Sequence, residues 1–422
     1  MMILRKGLMW IGCLLMATGP VWGATFNGRL TTSAYSWRVQ ELTGVDARHV
    51  RFYQTAILNV GQMGDQALSF HTHLQFSGDL ADEISGREHY RIYSAYAQLQ
   101  PQKMGIDVRL GRQRVFGGVG FGTIDGVWAS VSPQNWLLVN GYAGILAPLV
   151  PDDGIGTWDE GHLWGGQAQV NFDQTFVTVS YAERSRQPLA YLGAGRYSRL
   201  TLKNDGKQFR RLGFDARHEM KQVSLYARLD VDAENWDVQE LEMSGDVKAS
   251  QKLQVSASFQ HRTPTLYLNS IFSVFEVSND REIDLGVNYQ VADAIRVLLH
   301  GSRVFFDGDK SWDIGAGVGV GNGYVGYTRR IGYGGNNDAI MASVQQPFRE
   351  KITLRADGSL SSYRLFDGQV RRDRAMAGTL GMRYQHSRAA MLDVEFQMLR
   401  NAFYNRDARV FVRGSLWFFK RR

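Results

Sequence analysis

Residues Val223-Ser224-Leu225-Tyr226-Ala227-Arg228-Leu229-Asp230-Val231-Asp232 carry the reading of the whole chain. Odd positions are apolar, and even positions are polar or amphipathic. A β-strand points successive side chains to opposite faces, so this segment has one greasy face and one wet face. The rhythm recurs outward in both directions. Leu68, Phe70, Thr72, Leu74 and Phe76 oppose Ser69, His71, His73, Gln75 and Ser77. Leu253, Val255, Ala257 and Phe259 oppose Gln254, Ser256, Ser258, Gln260 and Arg262, and Ile352, Leu354 and Ala356 oppose Lys351, Thr353, Arg355 and Asp357. Near the end, Val410, Val412, Gly414, Leu416 and Phe418 oppose Arg409, Phe411, Arg413, Ser415 and Trp417. Two-layer soluble β proteins alternate as well. Persistence along the whole chain, in segments of about 9–13 residues, favours strands that cross a membrane.

The beginning supports export. Arg5-Lys6 precede an apolar run from Gly7 to about Thr18, then Gly19-Pro20-Val21-Trp22-Gly23-Ala24. A basic head, a short apolar core and small residues at a cleavage point read as a secretory leader over 1–23, cut after Gly23. The apolar run is shorter than the roughly 20 residues of a spanning helix. The one cysteine, Cys13, lies inside this leader. The remainder, 24–422, therefore has no disulfide or thiol chemistry, and it lacks the Cys-x-x-Cys-His motif of covalently attached haem. The formal charge of +7 falls to +5 without Arg5 and Lys6, and Lys420-Arg421-Arg422 supply 3 of that. The body is close to neutral, so the basic balance does not imply nucleic acid. Eight prolines against 46 glycines suit long strands and tight turns.

Two kinds of connection separate the strands. Tight ones include Gly61–Asp65, Ser132–Asn135, Phe172-Asp173, Ala249–Gln251, Val291–Asp293 and His386–Arg388. Longer ones cover 146–161, 185–206 and 264–280, the last with Leu266, Tyr267, Leu268, Ile271, Phe272 and Phe275, suited to an inward constriction, a partner surface or an ordered loop. The expectation is one all-β domain: a transmembrane, antiparallel, up-and-down β-barrel of about 22 strands (range about 16–22), without a plug domain.

The densest motif is Arg109-Leu110-Gly111-Arg112-Gln113-Arg114-Val115-Phe116-Gly117-Gly118-Val119-Gly120-Phe121-Gly122-Thr123-Ile124-Asp125-Gly126. Its glycines are too irregular for a dinucleotide fingerprint, and no Gly-Lys-Ser/Thr makes a phosphate loop. This segment resembles the strand-loop-strand segment of Gram-negative porin-like barrels, where a basic strand end runs into a Gly-rich loop and a second strand opens near Asp-Gly. The resemblance implies an outer-membrane barrel, lipid outside and water inside. Such barrels commonly end on an aromatic residue, whereas Phe418-Phe419 are followed here by Lys420-Arg421-Arg422.

Candidate chemistry is sparse. His71 and His73 share a strand face, but no third metal ligand is identifiable, and two polar wall residues fit better. His300-Gly301-Ser302 has the spacing of a base and a hydroxyl nucleophile, without an assignable orienting acid. Asp152-Asp153 with Asp159-Glu160 lack the alternating acids of a calcium loop. No cofactor and no enzyme activity are expected. The wet faces carry both signs. Arg51, Arg109, Arg228, Arg262, Arg355, Arg383 and Arg413 accompany Asp230, Glu240, Glu242, Asp284, Asp357, Asp393 and Glu395, with His71 and His73, as the expected lumen lining. These charges either pair along the wall or select solutes.

The leading expectation is a water-filled path for small hydrophilic solutes or ions. A barrel of this strand number is wide, and natural ones are usually plugged. The alternative is therefore a sheath around a periplasmic partner, resembling the porin-like component of porin–cytochrome conduits, with a multihaem cytochrome supplied by another protein. An envelope-polymer export pore is a further variant. Outer-membrane lipid is the other expected partner.

Overall fold

The computed structural model describes residues 25–40, 46–63, 67–79, 89–101, 105–148, 154–187, 207–263, 279–306, 308–333, 335–365, 369–403 and 406–421. The leader, Asp152-Asp153, and the apolar residues expected to act from the 264–280 connection lie outside them.

The chain forms 22 strands. In order they are β1 (Thr25–Gln40), β2 (Asp46–Met63), β3 (Leu68–Asp79), β4 (His89–Leu99), β5 (Ile106–Gly117), β6 (Gly120–Gln134), β7 (Leu137–Leu146) and β8 (Gly161–Phe172). Then come β9 (Thr175–Arg186), β10 (Lys207–Glu219), β11 (Val223–Asp232), β12 (Val238–Lys248), β13 (Leu253–Arg262), β14 (Asp280–Ala292) and β15 (Ile295–Phe306). The last seven are β16 (Asp309–Val320), β17 (Gly323–Gly332), β18 (Asn336–Arg349), β19 (Ile352–Arg364), β20 (Asp373–Ser387), β21 (Ala390–Arg400) and β22 (Asp407–Arg421). Each strand pairs antiparallel with the next, and β1 pairs with β22 from Thr25↔Arg421 to Val39↔Asp407, which closes the sheet. Closure removes the edge that an open sheet would present to lipid. Among the described residues there is no helix and no plug. The protein is a closed, antiparallel, up-and-down β-barrel.

The strands run from 10 residues, as in β11, to 18 in β2. Several therefore exceed the expected length, because the period-two pattern continues into what the sequence marks as turns. Ser132, Pro133 and Gln134, for example, still belong to β6. Leu225, which the pattern places near mid-strand, sits three residues into β11.

The alternation is resolved into an outer apolar face and an inner polar face. Leu225, Leu285, Ile314, Val325, Ile340, Leu360 and Leu380 project outward, with Leu285 60% and Leu380 62% exposed. Such exposure of large apolar groups fits lipid as the surrounding solvent. The six tight turns named above all fall at the barrel end that carries Thr25 and Arg421. The strand ends that flank 146–161, 185–206 and 264–280 are all at the other end.

At about 4.8 Å between strands and a usual tilt, 22 strands drawn as a circle enclose on the order of 40 Å between backbones. That width makes whatever occupies the interior the central question for function.

Candidate functional site: the inward-folded hairpin

The β5–β6 hairpin does not end at the rim. Up to Gly111 and Gly126 it is ordinary wall, with Leu110 and Val127 outward and Arg109 and Trp128 inward. Beyond that level it folds over into the barrel and lies along the inner faces of β7 to β10. The bend is made where side chains are missing. Gly111 has φ +124°, a conformation that side-chain-bearing residues rarely adopt. At Gly126 even a Cβ would run into the backbone of Ala143 and Gly144.

The hairpin's two faces have different jobs. Val115, Gly117, Gly120, Gly122 and Ile124 face the wall. Val115 and Ile124 pack with Tyr142, Leu146 and Leu163, Trp128 lying alongside, while Val119 at the turn packs with Ala182 and Phe209. Ile124 and Leu163 are 0% exposed and Val119 is 2% exposed. Each fully buried side chain of this size contributes about 1.5–3 kcal/mol. These are the two clusters of buried apolar residues among the described ones, and both lie inside the barrel beneath this hairpin. The glycines permit the close approach. A Cβ on Gly118 would overlap Ser180, and one on Gly120 would overlap the Tyr142 hydroxyl. The turn is fastened by Val119 N–H donating to Ser180 Oγ at 3.1 Å.

At the bend, Arg112 donates from Nε and Nη2 to both carboxylate oxygens of Asp125 at 2.8 Å each, and from Nη2 to the Gly154 carbonyl at 2.8 Å. The pair is only 7% and 9% exposed. It ties the two hairpin strands to each other and to the β7–β8 connection.

The opposite face looks into the lumen. It presents Arg114, Phe116, Phe121 and Thr123, with Phe116 65% and Phe121 44% exposed. The Arg114 guanidinium lies 4.3 Å from the Phe116 ring centre. Phe121 stacks on Phe209 of β10 at 5.8 Å, and Arg184 and Arg211 cover these two rings at 5.5 and 5.0 Å. Among the described residues Arg114 has no carboxylate partner, so its charge is offered to the lumen.

The rest of the wall carries the charged and histidine residues that the sequence singles out. The register puts Arg51, His71, His73, Arg109, Arg228, Asp230, Glu240, Glu242, Arg262, Asp284, Arg355, Asp357, Arg383, Asp393, Glu395 and Arg413 on the face opposite the exposed apolar one. Many of these charges neutralise each other locally. Arg228 donates to Asp230 at 2.8 Å with Glu240 at 3.7 Å, and Arg355 pairs with Asp357 at 2.6 Å. Asp393 accepts from Arg383 at 2.8 Å and Arg413 at 3.0 Å. Arg109 pairs with Asp107 at 3.0 Å and lies 4.3 Å from the Trp128 ring centre. Arg262 takes a partner outside the expected set, Asp280 at 3.3 Å.

The candidate chemical pairs are otherwise engaged. His71 is hydrogen-bonded through both ring nitrogens, to Asn59 Oδ1 at 2.8 Å and Ser69 Oγ at 2.9 Å, and stacks on Tyr96; His73 stacks on Tyr93. Ser302 donates to Glu282 at 3.1 Å, while His300 Nε2 lies 3.4 Å from Asp313. Glu160 accepts from the Thr157 N–H at 2.9 Å. Among the described residues no cluster of three metal-ligating side chains occurs.

Arg114, Phe116, Phe121 and Phe209 are absent from the lining expected from sequence. The segment that holds the first three stands out by its run of glycines, the available signal, because a strand that must lie on another sheet needs positions without a Cβ; Phe209 of β10 carries no such signal.

No family model and no curated protein matches the sequence. Solved structures similar to this chain include a BenF-like porin from Pseudomonas fluorescens Pf-5, at 11% identity over 94% of this chain and 99% of that one, TM-score 0.46. The translocation pore of the P pilus usher is similar at 10% identity over 93% and 99%, TM-score 0.49. The outer membrane protein opdK from Pseudomonas aeruginosa is similar at 9% identity over 94% and 99%, TM-score 0.44.

Proposed function

We propose that this protein is an outer-membrane channel, exported with a leader cleaved after Gly23, that gives small hydrophilic solutes and ions a water-filled path. The observation that carries the reading is the inward-folded hairpin. A closed barrel with a polar inner wall is built to hold water, and the hairpin narrows it on one side while leaving a charged aromatic surface exposed to that water. The far wall cancels much of its own charge in local pairs. The hairpin offers Arg114 without a carboxylate partner among the described residues, so the channel prefers anions, and the preference is set at the hairpin. The role is passive transport, with no catalytic step and no cofactor.

The test is the ion preference of purified protein in planar bilayers, read as the reversal potential in a salt gradient. Wild type should give stable steps with anion preference. Arg114→Glu should shift that preference toward cations by more than Arg355→Glu or Arg262→Glu, whose sites already contain a carboxylate. Equal shifts from all three would remove the hairpin from the selectivity argument, and no conductance at all would remove the channel.

One dimension favours a second reading. A hairpin laid on the wall adds one layer of about 10 Å to a lumen on the order of 40 Å across. Room remains for a periplasmic protein, including a multihaem cytochrome, or for an envelope polymer in transit. Mild-detergent purification from the native host separates the readings. A stoichiometric partner, with haem absorbance in the cytochrome case, supports the sheath, and a barrel isolated alone supports the open channel.

A further inference from the structure

On the outer face, the end of the barrel away from Thr25 and Arg421 carries a groove of about 720 Å³ across β17 to β21. Its floor is apolar: Ile340, Leu360 and Met376, which sit side by side through the register Ile340↔Leu360 and Leu360↔Met376. Its upper edge is cationic. Arg374 pairs in register with Ser362, two residues nearer the rim than Met376, and Arg400 pairs with Met376 itself, so both belong to the outward face at the edge of that floor. Beside them Asp338 accepts from the Tyr327 hydroxyl at 2.7 Å and from Arg372, with Arg329 at 3.8 Å. One carboxylate therefore serves two of four arginines. Among the described residues Arg374 and Arg400 have no carboxylate partner.

The arginines gather at this rim, whereas the opposite end of the same strands carries Arg349, in register with Ile352. The other outward positions at that end are Val344, Gln346, Leu354, Tyr384 and Leu392. An arginine on the lipid face of a barrel is costly at mid-depth and nearly free at the interface. Four of them gathered at one interface, over a hydrophobic floor continuous with exposed Leu380 and Phe396, match a ligand with anionic oxygens above and acyl chains below. A second copy of this barrel fits poorly, since it would bring like charges together.

We propose that this groove binds a phosphorylated glycolipid of the outer leaflet. Arg374 and Arg400 hold a headgroup phosphate by charge-assisted hydrogen bonds, Arg372 and Arg329 are oriented around Asp338 to complete the cationic edge, and an acyl chain lies on Ile340, Leu360 and Met376. The proposal rests on the outer-membrane reading but not on the channel.

The experiment uses refolded full-length barrel in uncharged detergent, with its heat-modifiable migration confirming closure. Native mass spectrometry then follows binding of diphosphorylated lipid A, enzymatically dephosphorylated lipid A and phosphatidylcholine, with inorganic phosphate as competitor. The wild-type protein should retain the diphosphorylated lipid at least about fivefold more strongly than either other lipid, and millimolar phosphate should not displace it. Arg374→Gln with Arg400→Gln should erase most of that difference while leaving single-channel conductance unchanged. Equal retention of phosphorylated and dephosphorylated lipid by the wild-type protein overturns the proposal without recourse to any variant. Full displacement by inorganic phosphate, or undiminished retention by the folded double variant, also overturns it. Failure to form a heat-modifiable barrel would instead count against the membrane reading itself.

Discussion

Two sectors of one continuous sheet solve the same problem differently. From β7 to β10 the inner wall is covered by the folded-in β5–β6 hairpin, and the contact is dry: Ile124, Leu163, Val115 and Val119 are 0–2% exposed. From β11 to β22 no second layer covers the inner wall among the described residues, and its side chains are tied by ion pairs such as Arg355 with Asp357, 55% and 26% exposed. The first sector resembles two packed layers, held by apolar burial and lack of side-chain bulk. The second is one layer, held by its backbone ladder, with surface-like ion pairs worth about 0–1 kcal/mol each. In a barrel the strand pairing is common to both, so the inner-face side chains decide whether a sector is closed or open.

Identical substitutions in the two sectors should therefore have unequal effects. Gly120→Leu has the largest expected consequence. Its side chain cannot share the space of Tyr142 and Ala182, so the hairpin should leave its seat, forfeiting roughly 5–9 kcal/mol of burial by Val115, Val119 and Ile124. Single-channel recording should show a larger and noisier conductance. Gly381→Leu, whose Cβ would meet Arg355 Cβ at an ordinary 3.6 Å, should leave conductance near that of wild type. If both behave alike, the hairpin is not a seated element.

Next comes Ile124→Ala, which opens a cavity under the hairpin and should cost about 2–5 kcal/mol. Denaturant unfolding in detergent reads that loss, and an effect below about 1 kcal/mol would mean the contact is not dry. Leu285→Arg addresses the outer face that both sectors share. At mid-strand in β14 it should cost about 2–4 kcal/mol and lower the yield of heat-modifiable barrel. An unchanged yield would contradict lipid exposure there. The smallest effect is expected for Arg355→Met, which removes an exposed pair and should change stability by no more than about 1 kcal/mol in the same unfolding measurement. A loss of several kcal/mol would show that the far wall depends on its charges after all.

Much of the fold was legible in the chain. Period-two runs such as Val223–Asp232 assign faces because a strand has only two, and a closed sheet leaves each run one inner and one outer option. The strand number and the placement of short and long connections at opposite ends followed from the same rhythm. Strand ends were less legible. Ser132 and Pro133 carry turn composition yet continue β6, because local preference yields to pairing with the neighbouring strand. The site was only half legible. The Gly-rich run from Gly117 to Gly126 marked an unusual segment, but nothing in it says toward which wall it folds.

The sequence by itself determined alternation and the two-faced polarity of each strand, since these depend on the order of side chains along it. The tertiary structure alone decided that Val119 reaches Ser180 and Phe209, that Phe121 stacks on Phe209, and that Arg374 and Arg400 share one rim with Asp338. Those contacts join residues from strands far apart in the chain. They depend on how far a hairpin bends and how the registers stagger around the barrel, and both are set by packing between strands rather than by pattern within one.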